Sequence, residues 1–374
     1  MHHDCSTELQ TKISELASLH ASQASLPNDL PLDSKWQQLL IQEPEKLFKA
    51  DGSVNFENLA NFRRLNIFVS DQGPFTDFAS FDLEAWVAAF LRRPFRSAVE
   101  FAKEGILGVC RGQRQMLRDV YDILERDGAI NLLRKYPVKK SPGSPYCFEY
   151  RGCSYNIRWA RHIYFNNLIR RHLSEDIRGA SRFVSVDIGC SYGIFASMFK
   201  SEFPNSVQVM ADFPDQLLLA YYFLSSKFPD ARIATLKDFA GRSELTREYL
   251  QEFDFVLVPV PMFSMLNEGS VDMVTNFFSF GEMRREWFKE YLDSEAFRGA
   301  RYFFTCNRFE SAPRMEPTYD TDLTILDYQI ADFETRFFGV FPLYPYHVTS
   351  YGPFSYQRNS YSSQYFDFIG KRRT

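Results

Sequence analysis

The chain has 374 residues, 45% of them hydrophobic and 24% charged, a balance that suits a folded water-soluble protein and excludes a disordered or collagen-like one. Its net charge is −4, with Lys and Arg interspersed among acids, so the basic stripe of a nucleic-acid binder is absent and DNA or RNA is not expected as a partner. No apolar stretch reaches the length of a membrane span. The start is polar and carries Asp4 and Glu8, without a signal peptide's apolar core. The six cysteines, Cys5, Cys110, Cys147, Cys153, Cys190 and Cys306, form no C-x-x-C, and no His pair has zinc-ligand spacing. Reduced thiols, a cytoplasmic location and no metal ligand set are the corresponding expectations. The 38 Phe and 20 Tyr exceed ordinary usage; most belong in a core, with some surplus for a pocket or a subunit interface.

Residues 1–136 read as helical. Leu9, Ile13, Leu16 and Leu19 recur at helical spacing behind Ser6 and Thr7 as caps. Pro27 and Pro31 interrupt. Further helices are expected from Trp36, Leu39 and Leu40, from Leu59, Phe62 and Leu65, over 83–90 and over 116–133. The stretch 137–145, with three prolines and a glycine, reads as a turn-rich linker. A boundary there gives a helical region 1–145 and a second domain 146–374.

A helix is expected over 157–173, then strands over 183–186, 207–212, 231–236, 253–258, 271–276 and 300–305. Helices over 194–199, 216–228 and 284–292 fall between them, and two late strands are expected over 337–341 and 364–369. Strands alternating with helices imply a mostly parallel doubly wound α/β sheet. The late pair puts an antiparallel strand into it.

The most informative stretch is Asp187-Ile188-Gly189-Cys190-Ser191-Tyr192-Gly193, a D-x-G-x-x-x-G turn between a strand and a helix. Glycines there let a backbone approach a nucleoside closely, and a carboxylate can accept hydrogen bonds from a cationic or hydroxyl-bearing cofactor. A dinucleotide fingerprint needs G-x-G-x-x-G, which is missing. Asp212 ends the next strand about 20 residues on, the offset of a ribose-binding carboxylate in doubly wound folds. A helix N-terminal role before Pro214 and Asp215 is the structural alternative.

This turn resembles motif I of the class I S-adenosylmethionine (SAM) methyltransferases. Farther on, Asp272, Asn276, Ser279, Glu282 and Met283 spell D-x-x-x-N-x-x-S-x-x-E-M before an amphipathic helix. That segment is similar to the sugar O-methyltransferase family, a SAM-dependent family of the class I fold. The similarity includes Asp187-Ile188-Gly189, the run 212–217, the run 253–259 and the run 302–308. It covers about residues 150–310 and extends faintly to Asn61-Phe62-Arg63. Departures are the absence of a third glycine in the turn, and Gly281 where a larger polar residue is usual.

The resemblance implies a seven-stranded sheet, SAM as cofactor and transfer of its methyl group to a hydroxyl oxygen, most simply of a sugar, nucleotide sugar or glycoconjugate precursor. Asp187 is then expected at the methionine end of SAM, with Gly189, Cys190, Ser191 and Gly193 shaping the turn. Asp212 is expected at the ribose, Phe213 among the cofactor-binding residues, and Pro259 and Val260 at the adenine. Glu282 is the first candidate for base or metal ligand, with a helix-N-terminal carboxylate as its structural alternative. His347 is the second candidate base, and Asn276 lies where the methyl-transfer centre is expected. Asn307, Arg308 and Ser279 are candidates for acceptor binding. Asp320 and Asp322 are the acids that could join Glu282 around Mg²⁺, although no metal set is assigned. Three other readings stay open: an aromatic or lipidic natural product as acceptor, suggested by the Tyr-rich C-terminal third; an NAD(P)-dependent oxidoreductase; and a non-catalytic member. The helical region 1–145 is assigned to a lid or to homodimerisation.

Overall fold

The computed structural model describes residues 7–23, 44–65, 67, 108–311, 323–343, 348–351, 356–358 and 364–373. Its contacts divide the chain into two units. One comprises residues 1–69, 168–341 and 363–374, the other 70–167 and 342–362. This differs from a single cut after 145. The stretch 137–145 forms a 3-10 turn at Val138–Lys140, with Val138 and Ser141 buried inside the second unit rather than exposed in a linker.

The second unit contains helices Gly108–Arg126 and Ile130–Lys135, where the sequence pattern predicts one continuous helix. Gly128, at φ 77°, breaks the run. A hairpin of β1 (Phe148–Tyr150) and β2 (Cys153–Tyr155) follows. Tyr155 Oη of the hairpin donates to Leu117 O at 2.6 Å, and Trp159 Nε1 of the following helix Ile157–His172 donates to Tyr136 O at 2.7 Å.

The first unit is built on one sheet. In chain order its strands begin with β3 (Val184–Ile188), β4 (Val207–Asp212), β5 (Ile233–Ala234) and β6 (Phe255–Pro259). They continue with β7 (Met273–Phe277), β8 (Tyr302–Arg308) and β9 (Phe333–Val340). After β10 (Val348–Tyr351) and β11 (Tyr356–Arg358), which pair only with each other, β12 (Tyr365–Arg372) returns to the sheet. The spatial order is β5-β6-β4-β3-β7-β8-β12-β9. All pairings from β5 to β8 are parallel, and β12 is antiparallel to both β8 and β9. The doubly wound, mostly parallel class is as expected. The sheet has the eight strands that the sequence pattern predicts, one more than the resemblance implies, because the two-residue β5 adds an edge outside β6.

The order explains where a ligand goes. The chain enters at β3, moves outward through β4 to β6, then crosses back to β7 on the other side of β3. The connections leaving β3 and β7 therefore run to opposite faces of the sheet, the topological position at which doubly wound folds bind ligands in a crevice at the carboxyl edge. Strand alternation distributes the two faces. Val184, Val186, Ile188 and Val274 pack into the core beneath the helices Arg285–Leu292 and Glu295–Gly299. Met210 lies on the opposite face, between Gly193 and Leu224 of the helix Pro214–Lys227. Helix Thr7–Gln23 also packs on Pro214–Lys227, so at least this part of the N-terminal region belongs to the sheet unit.

Candidate active site

The turn after β3 is the centre of the crevice. Gly189, Ser191 and Gly193 are all left-handed, with φ of 70°, 51° and 84°. A side chain on Gly189 would also run into the Ser279 hydroxyl, and one on Gly193 would meet Met210 Cε at 2.6 Å. Both glycines are thus required by conformation, and Gly189 also by the space that Ser279 fills. Gly193 then caps the helix Ile194–Glu202. Gly193→Ala is expected to destabilise the protein by about 1–2 kcal/mol, the cost of a left-handed alanine, read as a lower urea midpoint. An unchanged midpoint would contradict this account of the turn.

Two carboxylates flank the turn. Asp212, 6% exposed at the end of β4, accepts from Ser191 N at 2.6 Å and from Phe213 N at 2.8 Å. It therefore fixes the turn as well as facing the crevice. Asp187, 4% exposed, accepts from the Thr275 hydroxyl at 2.8 Å. Burial first, and the nearby Asp212 charge, push the Asp187 carboxyl up to about 8 against the lowering hydrogen bond from Thr275. The Cys190 thiol is pushed well above its usual range by burial and by both carboxylates. Its 6% exposure and its contact with the Ser191 carbonyl suit a space-filler in the turn.

The remaining cofactor candidates gather beside these two. Pro259 ends β6 directly opposite Asp212, and Val260, half-buried, opens the 3-10 turn Val260–Met265. Phe213 is half-buried just past β4. The structure thus brings Asp187, the turn 189–193, Asp212, Phe213, Pro259 and Val260 to one edge of three adjacent strands.

The catalytic and acceptor candidates divide. Asn276 is fully buried, and all of its hydrogen-bonding capacity goes to the protein. Its Nδ2 donates to Ile188 O at 2.8 Å and to the Ser279 hydroxyl, while its Oδ1 accepts from Phe280 N at 3.0 Å and Asn307 Nδ2 at 2.8 Å. Asn307, also fully buried, donates further to Thr305 Oγ1 at 2.7 Å and accepts from Gly281 N at 3.2 Å. The two asparagines form a polar ladder joining β3, β7, β8 and the turn Phe280–Glu282. The sequence places these two residues at the methyl-transfer centre and in acceptor binding; the hydrogen bonds seen here tie both side chains to the protein. Thr275 is in register with Asp187, so alternation sends Asn276 to the other face of the sheet. Ser279 belongs to the same ladder, its hydroxyl 3.3 Å from Ile188 O and against Gly189.

Glu282 ends the 3-10 turn Phe280–Glu282, half-buried, at the position this ladder holds. Arg308, half-buried at the end of β8, donates from Nε to Tyr365 Oη at 2.9 Å, with its guanidinium 5.7 Å over that ring. His347, Asp320 and Asp322 lie outside the described residues. Among the described residues, no group of three His, Cys, Asp or Glu side chains could hold a metal ion.

Two residues near the carboxylates are not singled out by the sequence. Thr275 precedes Asn276, and only the β3–β7 register reveals that it meets Asp187. Tyr291 lies one helix later, and its hydroxyl is raised by burial and by the Asp212 charge, which places it near that carboxylate. No local motif marks it.

No family model and no curated protein matches the chain. The matches are to solved structures, all remote. A geranyl diphosphate C-methyltransferase from Streptomyces coelicolor A3(2), solved with Mg²⁺, geranyl diphosphate and S-adenosylhomocysteine, is 12% identical. The likeness covers 58% of this chain and 84% of that one, at a TM-score of 0.37. An O-methyltransferase family 2 protein from Planctomyces limnophilus DSM 3776, complexed with apigenin, is 10% identical over 51% of this chain and 50% of that one, at a TM-score of 0.31. The bifunctional kinase-methyltransferase WbdD is 14% identical over 57% of this chain and 38% of that one, at 0.36. The fold assignment rests on the strand order and the switch point described above.

Proposed function

We propose that this protein is a SAM-dependent methyltransferase that methylates a hydroxyl oxygen, on a sugar or glycoconjugate precursor. The observation that carries the reading is the pair of buried carboxylates, Asp187 and Asp212, flanking a three-fold left-handed turn at the switch point of a doubly wound sheet. A cationic nucleoside fits this site. The turn holds its backbone in a left-handed course at Gly189, Ser191 and Gly193, one acid lies near the turn's start, and a second ends the neighbouring strand. SAM, when bound, would supply an electrophilic methyl on its sulfonium.

In this reading Asp187 receives the ligand's ammonium and Asp212 its ribose hydroxyls, while Phe213, Pro259 and Val260 wall the adenine. An acceptor hydroxyl is a poor nucleophile and needs its proton removed. Glu282 is assigned that role, with His347 as the alternative base, and Arg308 is assigned to an acceptor oxygen or phosphate. The Asn276–Asn307 ladder sets the position of the Glu282 turn. The region 1–145 is assigned to covering the site or to dimer formation.

Glu282→Gln is expected to lower turnover by about 10²–10³-fold, in the range of a lost general base, with SAM affinity retained. Undiminished turnover on a verified acceptor would remove Glu282 from the mechanism. The acceptor is tested by methyl transfer from labelled SAM to a panel of nucleotide sugars and phenolic compounds. Transfer to sugars supports the reading. Transfer only to phenolics would favour the second one, toward which the ring contacts of Phe278 with Phe341 at 5.3 Å and with Tyr365 at 5.1 Å beside Arg308 point.

A further inference from the structure

Besides Asp212 and the Ser191 hydroxyl's bond to Gln216 at 3.3 Å, the glycine turn is anchored through Tyr192. Tyr192 sits between left-handed Ser191 and Gly193, and its ring is fully buried. Phe62 stands edge-on to that ring at 5.0 Å, Phe223 does the same at 5.2 Å, and the Arg63 guanidinium lies 5.3 Å over it. Phe62 and Arg63 are themselves fully buried. They belong to the tight turn after helix Phe56–Ala60, closed by Ile67 N donating to Phe62 O at 2.9 Å. These residues come from far upstream in the chain, yet lie in the same structural unit as the sheet.

We propose that Phe62 and Arg63 are positioning residues for the cofactor turn, acting through Tyr192 to hold residues 189–193 in their left-handed conformation. A non-glycine residue such as Ser191 at positive φ persists only where its surroundings over-determine it. Asp212 supplies one constraint by capturing the Ser191 N–H. The aromatic and guanidinium contacts on Tyr192 supply the other, at the next residue. Aliphatic side chains would fill this space without the desolvation cost of a guanidinium. What arginine adds is a planar cation that fixes the orientation of an aromatic ring. The same segment, Asn61-Phe62-Arg63, is where the sequence resemblance reappears upstream, outside the sheet.

The inference rests on the SAM reading, and the experiment separates the two. Full-length wild type, Phe62→Leu, Arg63→Lys, Tyr192→Leu and Tyr192→Phe are titrated calorimetrically with SAM, each checked for folding by circular dichroism. The expected result is a SAM Kd raised about tenfold in Phe62→Leu, Arg63→Lys and Tyr192→Leu, at unchanged stoichiometry, with Tyr192→Phe close to wild type. A role confined to stability would lower the stoichiometry with the folded fraction and leave Kd where it was, and that would overturn the proposal. If Tyr192→Leu does not fold, Arg63→Lys and Phe62→Leu still decide. Absence of binding by folded wild type would instead remove the SAM reading itself.

Discussion

Asn276→Ala is expected to unfold at a markedly lower urea concentration than the wild type. The substitution strips a fully buried ladder of its centre. Phe280 N–H loses its acceptor, Ile188 O loses its short donor, and Asn307 loses its side-chain acceptor, keeping Thr305, Gly281 and the longer bond to the residue 276 carbonyl at 3.4 Å. Leaving such groups unsatisfied costs about 1–3 kcal/mol each, so a loss on the order of 3 kcal/mol is expected in total. Because Asn276 and Asn307 share one network, the double variant should lose clearly less than the sum of the single losses. The check is a double-mutant cycle by urea denaturation. Full stability in Asn276→Ala, combined with lost turnover, would return Asn276 to the reacting centre.

Asp187→Asn is expected to make the free protein more stable and the ligand complex weaker. The carboxyl's ordinary value of 3.8 is raised to about 8 in the folded chain. Between those values the folded state holds a proton that the unfolded state has released. The stability contribution is therefore fully present below about pH 4 and is lost as pH rises toward about 8. Each pH unit crossed between the two values weakens the folded state by at most about 1.4 kcal/mol, so the wild type should lose thermal stability relative to Asp187→Asn across this window. Cys190 and Tyr291, both raised by burial, lie above this window and are common to both proteins. A cationic ligand reverses the preference, because it favours the ionised carboxylate. Wild-type affinity should rise with pH up to about 8, with proton release visible as a buffer-dependent heat of binding. Parallel melting curves of the two proteins across the span from mildly acidic to mildly alkaline pH would contradict the assignment.

The fold was legible where hydrophobic pattern and chain chemistry agree. Val184–Ile188, Val207–Asp212 and Phe255–Pro259 are short apolar runs closed by acids or prolines, and each is a parallel strand. The turn 189–193 could be read because its glycines are needed for their left-handed φ. The hairpins β1–β2 and β10–β11 were not legible, since strands of three or four residues carry too little periodicity to stand out. Asn276 and Asn307 stand at the expected edge of the expected strands, and their mutual hydrogen bonds were not legible. Position along a strand follows from sequence, whereas the direction of the last side chain depends on register and on what the next turn requires. Thr275 shows the converse, a hydroxyl whose partner exists only once β3 and β7 are paired.

The measurement that tests the central claim most directly is a calorimetric titration with SAM of full-length wild type and Asp187→Ala. The protein is first checked by mass spectrometry for co-purified S-adenosylhomocysteine. The account predicts one SAM bound per chain by the wild type, and binding lost or severely weakened in Asp187→Ala while the fold is kept. No SAM binding by folded, ligand-free wild type, or saturable NAD(P)H binding in its place, would contradict it.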